Sequence, residues 1–242
     1  MADLNSDEKS KIFVIALCGG KGHGKDTVGN WCVENLGAVR LAFGEPLKRG
    51  VQQFLDLSND QVTDEKQKEI VDPYWNHAPR EFYQIFGTEL AQKELPKFLQ
   101  NMYNNIWVKC VARRMARIYR TRPNVYNIFV ITDVRLKHEE DFVKSFPNHL
   151  IIRVNRNILH RNGDFNNHIS ETFVNNLNPC YIIENNGTIK NLYRQVEFIT
   201  TLKKLRKLRF YDRLFLKILR GLDMAKSYKK LLHYLTLENL IE

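Results

Sequence analysis

Apolar residues are spaced in two ways along this chain, and the alternation between them outlines a fold. Ile12, Phe13, Val14, Ile15, Ala16 and Leu17 form an unbroken apolar run ended by glycine, which predicts a strand buried on both faces over Lys11 to Cys18. Shorter runs predict further strands at Ala38 to Phe43, Val125 to Thr132, Leu150 to Val154 and Tyr181 to Glu184. Between them the spacing turns helical. A helix is expected from Lys25 to Leu36, stopped near Gly37, and a second with Pro46 in its first turn and Leu47, Val51, Phe54 and Leu55 along it. The polar stretch Asp60 to Val71 reads as a peripheral helix. Pro79 opens another, carrying Phe82, Ile85, Phe86 and Leu90. Trp107, Val108, Val111, Met115 and Ile118 predict one long helix across Phe98 to Tyr119, and a last helix follows from Thr188 to about Thr200. Strands alternating with helices imply an α/β protein, a five-stranded parallel sheet with helices on both faces. Its connections should be right-handed, and its ligands should collect at the carboxyl ends of the strands.

Composition narrows the picture modestly. At 242 residues, 43% hydrophobic and 26% charged, the chain suits one α/β domain over residues 1–199 with an appendage over 200–242. No apolar run approaches the ~20 residues that span a bilayer, and Met1 to Lys11 is polar and acidic, so a cytosolic protein without a membrane span is expected. The net charge of +10 invites a nucleic-acid partner, but its location weakens that idea. From Thr200 onward eleven Lys and Arg face four Asp and Glu, so +7 belongs to the tail and only +3 to the rest. Cys18, Cys32, Cys110 and Cys180 are widely spaced, three of them in apolar surroundings that suit reduced core residues.

The chemistry starts directly after the first strand. Gly19-Gly20-Lys21-Gly22-His23-Gly24-Lys25 has the G-x-x-x-x-G-K spacing of a loop whose backbone N–H groups surround an anion at a helix N-terminus, with Lys25 supplying a mobile charge for the outer phosphates. The next residue is Asp26, where such loops carry Ser or Thr. Either Asp26 takes the Mg²⁺ role of that hydroxyl, directly or through water, or Thr27 serves the phosphates one position later. The same sequence also fits a ligand-free Gly-rich turn.

Four weaker constellations follow. Thr132-Asp133-Val134-Arg135 leaves a buried strand, with Asp133 placed to hold the water shell of Mg²⁺ and Arg135 to grip a phosphate, or as a structural ion pair. Arg153 to Arg156, Arg161 and Asn166 to Glu171 read as a flap at about 156–170 whose arginines face the transferring phosphoryl group, or as a solvated loop in which His168 and Ser170 cap a helix. Gln84 to Glu89, preceded by Arg80, contains Gly87, which in a helical pattern marks close approach of another group or a break between helices. Lys48 follows the second strand on the face where an acceptor would sit, although lone lysines usually face solvent.

Taken in order, Gly24-Lys25-Asp26-Thr27, Phe43 to Lys48, Gln84 to Glu89, Thr132 to Arg135 and His168 to Glu171 resemble the deoxynucleoside monophosphate kinases of large DNA viruses and bacteriophages over about residues 11–196. The resemblance implies a P-loop kinase fold and a viral nucleotide-metabolism enzyme that transfers the γ-phosphate of ATP to a deoxynucleoside monophosphate with Mg²⁺. It implies ATP contacts from Gly20, Gly22, His23, Gly24, Lys25, Asp26 and Thr27, and metal contacts from Asp26 and Asp133. Lys48, Arg80, Gln84, Gly87, Thr88, Glu89, Arg135 and Glu171 would border the acceptor, and Lys25, Arg135, Arg156 and Arg161 would act on the phosphoryl group. Animal phosphomevalonate kinases resemble the same group, so a small-molecule acceptor stays open. The tail departs from the family pattern: Leu202, Leu205, Leu208, Phe215, Ile218, Leu219 and Leu222 recur between basic residues, which suits a helix packed on its own domain, or one that binds nucleic acid, a membrane surface or a partner. A homodimer through the tail or the helices after residue 60 is also open.

Overall fold

The computed structural model describes residues 3–99, 105–157 and 177–207. Its centre is strand β1 (Phe13–Cys18), buried along nearly all its length because its apolar run meets protein on both faces. Four parallel strands join it: β2 (Val39–Leu41), β3 (Ile128–Ile131), β4 (Asn148–Asn155) and β5 (Tyr181–Glu184), in the order β2-β3-β1-β4-β5. Phe13 pairs with Ile128 on one side and Asn148 on the other, so chain segments far apart in sequence end beside the loop that leaves β1. This is the expected α/β architecture, and each strand lies within two or three residues of its predicted place.

Helices cover both faces. Helix α1 (Ser6–Lys11), closed by an Asn5 and Glu8 capping box, precedes β1 and has no apolar periodicity to announce it in the polar N-terminal stretch. Helix α2 (Lys25–Leu36) starts and stops where the sequence predicts, Gly37 ending it at a φ of 62° that suits glycine. It packs closely on β3: a methyl on Gly29 would lie 2.6 Å from the Thr132 methyl. The other face is built from alternate β1 residues, Val14, Ala16 and Cys18, packed with Phe129 and Ile131 of β3 and with Val111 and Met115 of α7 (Ile106–Thr121). Each fully buried Val, Ile, Phe or Met among them contributes roughly 1.5–3 kcal/mol.

A smaller apolar cluster joins α3 (Glu45–Leu55), α4 (Asn59–Thr63) and α5 (Pro79–Gln84): Val51, Leu55, Leu57 and Val62, with Leu47, Phe82, Tyr83 and Phe86 against them. Here the chain departs from its helical periodicity. The expected helix over Asp60 to Val71 is broken at Asp64, whose carboxylate takes the N–H groups of Lys66 and Gln67 and turns the chain. A separate 3-10 turn follows at Gln67–Glu69. The expected helix across Phe98 to Tyr119 is not continuous either. Phe98 ends α6 (Leu95–Phe98), Leu99 is extended, and α7 begins at Ile106. Phe54, expected on the apolar face of α3, is 71% exposed and touches only its edge through the Phe86 ring.

Helix α8 (Lys137–Lys144) follows β3 and buries two acids, Glu139 and Glu140. Helix α9 (Ile189–Lys207) follows β5. The chain divides into two compact units, Met1–Tyr193 and Arg194–Glu242, and the second is described only as far as residue 207. Cys18 and Cys32 are buried, Cys110 half-buried and Cys180 exposed, so two cysteines rather than three are fully in the core. Among the described residues no helix is long and apolar enough to cross a membrane.

Candidate active site

The loop between β1 and α2 keeps its shape through three glycines with positive φ: Gly19 at 138°, Gly22 at 77° and Gly24 at 101°. At Gly19 the constraint is also steric, because a Cβ would meet the Val154 carbonyl oxygen of β4 at 2.3 Å. His23 turns inward: its Nδ1 lies 3.1 Å from the same carbonyl, and its ring covers Gly20. From outside, the Asn185 side-chain amide donates to His23 O at 2.9 Å. The loop is therefore held by β4 and by the turn after β5.

Lys25, half-buried in the first turn of α2, donates to the carbonyls of Gly19 at 2.8 Å and Gly20 at 2.7 Å. Desolvation pushes its ammonium below the ordinary lysine range, and the positive charge of Arg135 pushes it further. Arg135 thus shares a field with the loop lysine. Its backbone N–H donates to Glu139 Oε2 at 2.7 Å. No sequence motif singles out Glu139; burial, and then Asp133, raise its carboxyl to about 7.

Asp26 lies in the first turn of α2 with its carboxylate exposed and paired with Arg40, which also donates to Asn30 at 2.7 Å. Asp133 accepts from Phe43 N–H at 2.7 Å through one oxygen and from Gly44 N–H at 2.8 Å through the other. It fixes the β2–α3 turn and so the start of the helix that carries Lys48. Lys48 is exposed, yet partial desolvation lowers its ammonium; Lys68 adds to the shift, and Asp133 opposes it.

Of the residues expected to border an acceptor, Arg80 pairs with Glu69 and, at 3.9 Å, with Glu65. Gln84, one turn further, is half-buried. Helix α5 then widens into a π-helix over Ile85–Glu94, a geometry frequent at functional sites. Gly87 lies inside this continuous run, so it does not separate two helices. It marks close approach: a Cβ would sit 2.6 Å from Leu47 Cδ2, and the Trp107 indole N–H donates to Gly87 O at 2.9 Å. Thr88 and Glu89 are exposed, and Glu89 is engaged by Lys93 at 2.8 Å. Of the expected flap residues, Arg156 is described and exposed, whereas Arg161, His168, Ser170 and Glu171 lie outside the described residues. Arg153 serves the fold, donating to Leu177 O at 2.9 Å.

One cavity of about 400 Å³ adjoins the loop, lined by Gly24, Lys25, Asp26 and Thr27 with Arg156 on one side and Asn185 and Ile189 on another. Asn185 and Ile189 are not among the expected site residues. In the sequence, Asn185-Asn186-Gly187 marks only the turn that closes β5, although its position at a strand's carboxyl end is the available signal. Among the described residues no group of three or more His, Cys, Asp or Glu could hold a metal by itself.

Comparison with known proteins gives the arrangement a context. The family model described as deoxynucleotide monophosphate kinase matches residues 52–196. A protein of Acanthamoeba polyphaga mimivirus, provisionally named a deoxynucleotide monophosphate kinase, is 30% identical over 188 residues, covering 76% of this chain and 94% of its own. Among solved structures, shikimate kinase from Aquifex aeolicus aligns at a TM-score of 0.40 with 13% identity, covering 80% of this chain and 99% of that one. Dephospho-CoA kinase from Campylobacter jejuni aligns at 0.40 with 12% identity, covering 79% and 97%.

Proposed function

This chain belongs to the deoxynucleotide monophosphate kinase family, and we propose that it transfers the γ-phosphate of ATP to a deoxynucleoside monophosphate, giving ADP and the diphosphate. The observation that carries the reading is that Lys25, at the start of α2, holds its ammonium at the loop carbonyls of Gly19 and Gly20, where the charge of Arg135 after β3 also acts on it. A phosphoryl group held between two such cations is stabilised by both, and most as its charge spreads over the equatorial oxygens.

In this reading the loop amides and Lys25 hold the donor phosphates, and the cavity bordered by Arg156, Asn185 and Ile189 takes the rest of the ATP. Lys48, Arg80 and Arg135 receive the acceptor phosphate, while Gln84, Gly87, Thr88 and Glu89 border its nucleoside with Glu171. Arg161 acts with Arg156 on the transferring group. The donor set suits Mg²⁺ bound mainly by phosphates and water: few carboxylates converge, and Asp133 keeps lone pairs for water beside its two amide bonds. Asp26 or Thr27, with Asp133, would hold that ion, which would neutralise charge on the donor phosphates. The chain's own contribution is positioning, and no covalent intermediate is required.

An acceptor panel read by ADP production tests this. ADP should form with one or more deoxynucleoside monophosphates and depend on their presence. Equal ATP loss with and without acceptor would remove the reading. Turnover of phosphomevalonate in preference to every nucleotide would move the chain to the small-molecule alternative. The nucleic-acid alternative rests on basic residues mostly beyond 207, outside the described residues.

A further inference from the structure

Two carboxylates between α4 and α5, Glu65 and Glu69, gather three cations from different parts of the cleft. Lys21, on the phosphate loop, lies 3.4 Å from Glu65 and 3.5 Å from Glu69. Arg80, in the first turn of α5, pairs with Glu69 and reaches Glu65 at 3.9 Å. Lys68, itself buried, pairs with Glu65 at 2.7 Å. The cluster borders the acceptor cations, since the charge of Lys68 is felt by Lys48. Burial alone would raise the Glu65 carboxyl, yet Lys68 and then Lys21 hold it below the ordinary range.

Stability does not account for this placement. The carboxylates of Glu65 and Glu69 are 63% and 44% exposed, and ion pairs so exposed contribute little. The charge pattern does account for it. Two carboxylates face a loop lysine and an α5 arginine, and offer these cations oxygens of the kind a phosphate carries. On the kinase reading above, we propose that Glu65 and Glu69 compete with substrate phosphate for Lys21 and Arg80, acting as positioning residues that set the affinity of the site for anions.

The exchange keeps Lys21 and Arg80 partnered at every stage, so that they and Lys68 do not face one another uncompensated. It also discriminates. A phosphate dianion with several acceptor oxygens displaces a carboxylate from arginine or lysine more readily than a weak monoanion does.

The test uses the full chain with Glu65→Gln and Glu69→Gln together, each amide keeping the shape and losing the charge. Binding of inorganic phosphate is measured by titration calorimetry, and KM and kcat for the acceptor are measured separately. The phosphate dissociation constant should fall about three- to tenfold and the acceptor KM with it, while kcat does not rise. Asp60→Asn, which removes a charge from neighbouring α4, should leave phosphate binding unchanged. Phosphate binding that is unchanged or weaker in the double variant, or equally tightened in Asp60→Asn, overturns the proposal. Glu69→Gln alone should tighten binding about twofold, and serves if the double variant fails to fold. If phosphate binding tightens but no acceptor yields ADP, the exchange stands and the kinase reading falls. If ADP forms only with acceptor but phosphate binding is unaltered, the kinase reading stands and the exchange falls.

Discussion

The Asp133 carboxylate holds the backbone N–H of Gly44 at 2.8 Å, and so the strand end that carries one candidate phosphate group fixes the turn that launches another. Its second oxygen holds Phe43 N–H at 2.7 Å. Asp133→Asn keeps one oxygen and turns an amide NH₂ toward a backbone donor. A buried donor left unmet costs about 1–3 kcal/mol, so the unfolding free energy from urea denaturation should fall by about that amount. Because α3 begins at this turn, the acceptor KM should rise as well. Unchanged stability and KM would show that the turn holds without this carboxylate.

Lys25→Ala removes the loop's mobile charge but leaves its glycines and the Asn185 tether in place. Turnover should fall by about 10²–10³, the loss typical of removing one transition-state donor, with far-ultraviolet circular dichroism unchanged. A variant that keeps more than about a tenth of the original kcat would move the donor role to another cation. Arg161→Ala should lower kcat more than it weakens ATP binding, because its contribution is assigned to the transition state.

Gly87→Ala tests the close packing of the π-helix on α3. The added methyl would meet Leu47 Cδ2 at 2.6 Å, a side chain able to shift, so overpacking should cost about 1–3 kcal/mol. Leu47→Ala in the same chain should recover part of that loss, which a double-mutant cycle measures. Additive effects would mean that the two residues do not share the contact.

Glu139 gives the fold a pH dependence of defined sign. Its carboxyl is raised to about 7 in the folded chain from an ordinary value of 4.5, by burial first and Asp133 second. A raised folded-state value means that its favourable contribution is fully present below the unfolded value and is lost as pH climbs toward 7. Denaturation at pH 5 and pH 8 should differ by at most on the order of 3 kcal/mol from this group, and Glu139→Gln should flatten that part of the profile. An unchanged profile in the variant would place the titrating group elsewhere.

The same residue shows where the sequence stops being readable. Strand β1, helix α2 and strand β5 can be placed closely because their signals are local: an unbroken apolar run, a glycine stop, a short run closed by Asn-Asn-Gly. Helix α8 cannot, since its inward positions are Glu139 and Glu140, acids whose burial depends on distant partners. Glu140 is met by Lys137 at 2.9 Å, by Lys144 at 2.7 Å and by the Asn178 N–H at 3.0 Å. The phosphate loop is legible for the same local reason as β1. The bridge from Lys21 to Glu65 and Glu69 is not, because nothing near either end of an ion pair announces the other. Gly87 is legible as an anomaly, but only Leu47 and Trp107 explain it.

The tether from Asn185 to His23 has a further consequence. It starts beyond the outermost strand, passes over β4 and ends on the loop of the central strand. On the proposed reading, the loop's hold on nucleotide therefore depends on an edge of the sheet, the part that frays first. Amide hydrogens at the end of β5 should exchange more slowly when nucleotide is bound, although most of that strand lies away from the cavity. A circularly permuted chain opened between Asn186 and Gly187 would keep the central strands and their core intact, yet lose hold of the loop they carry.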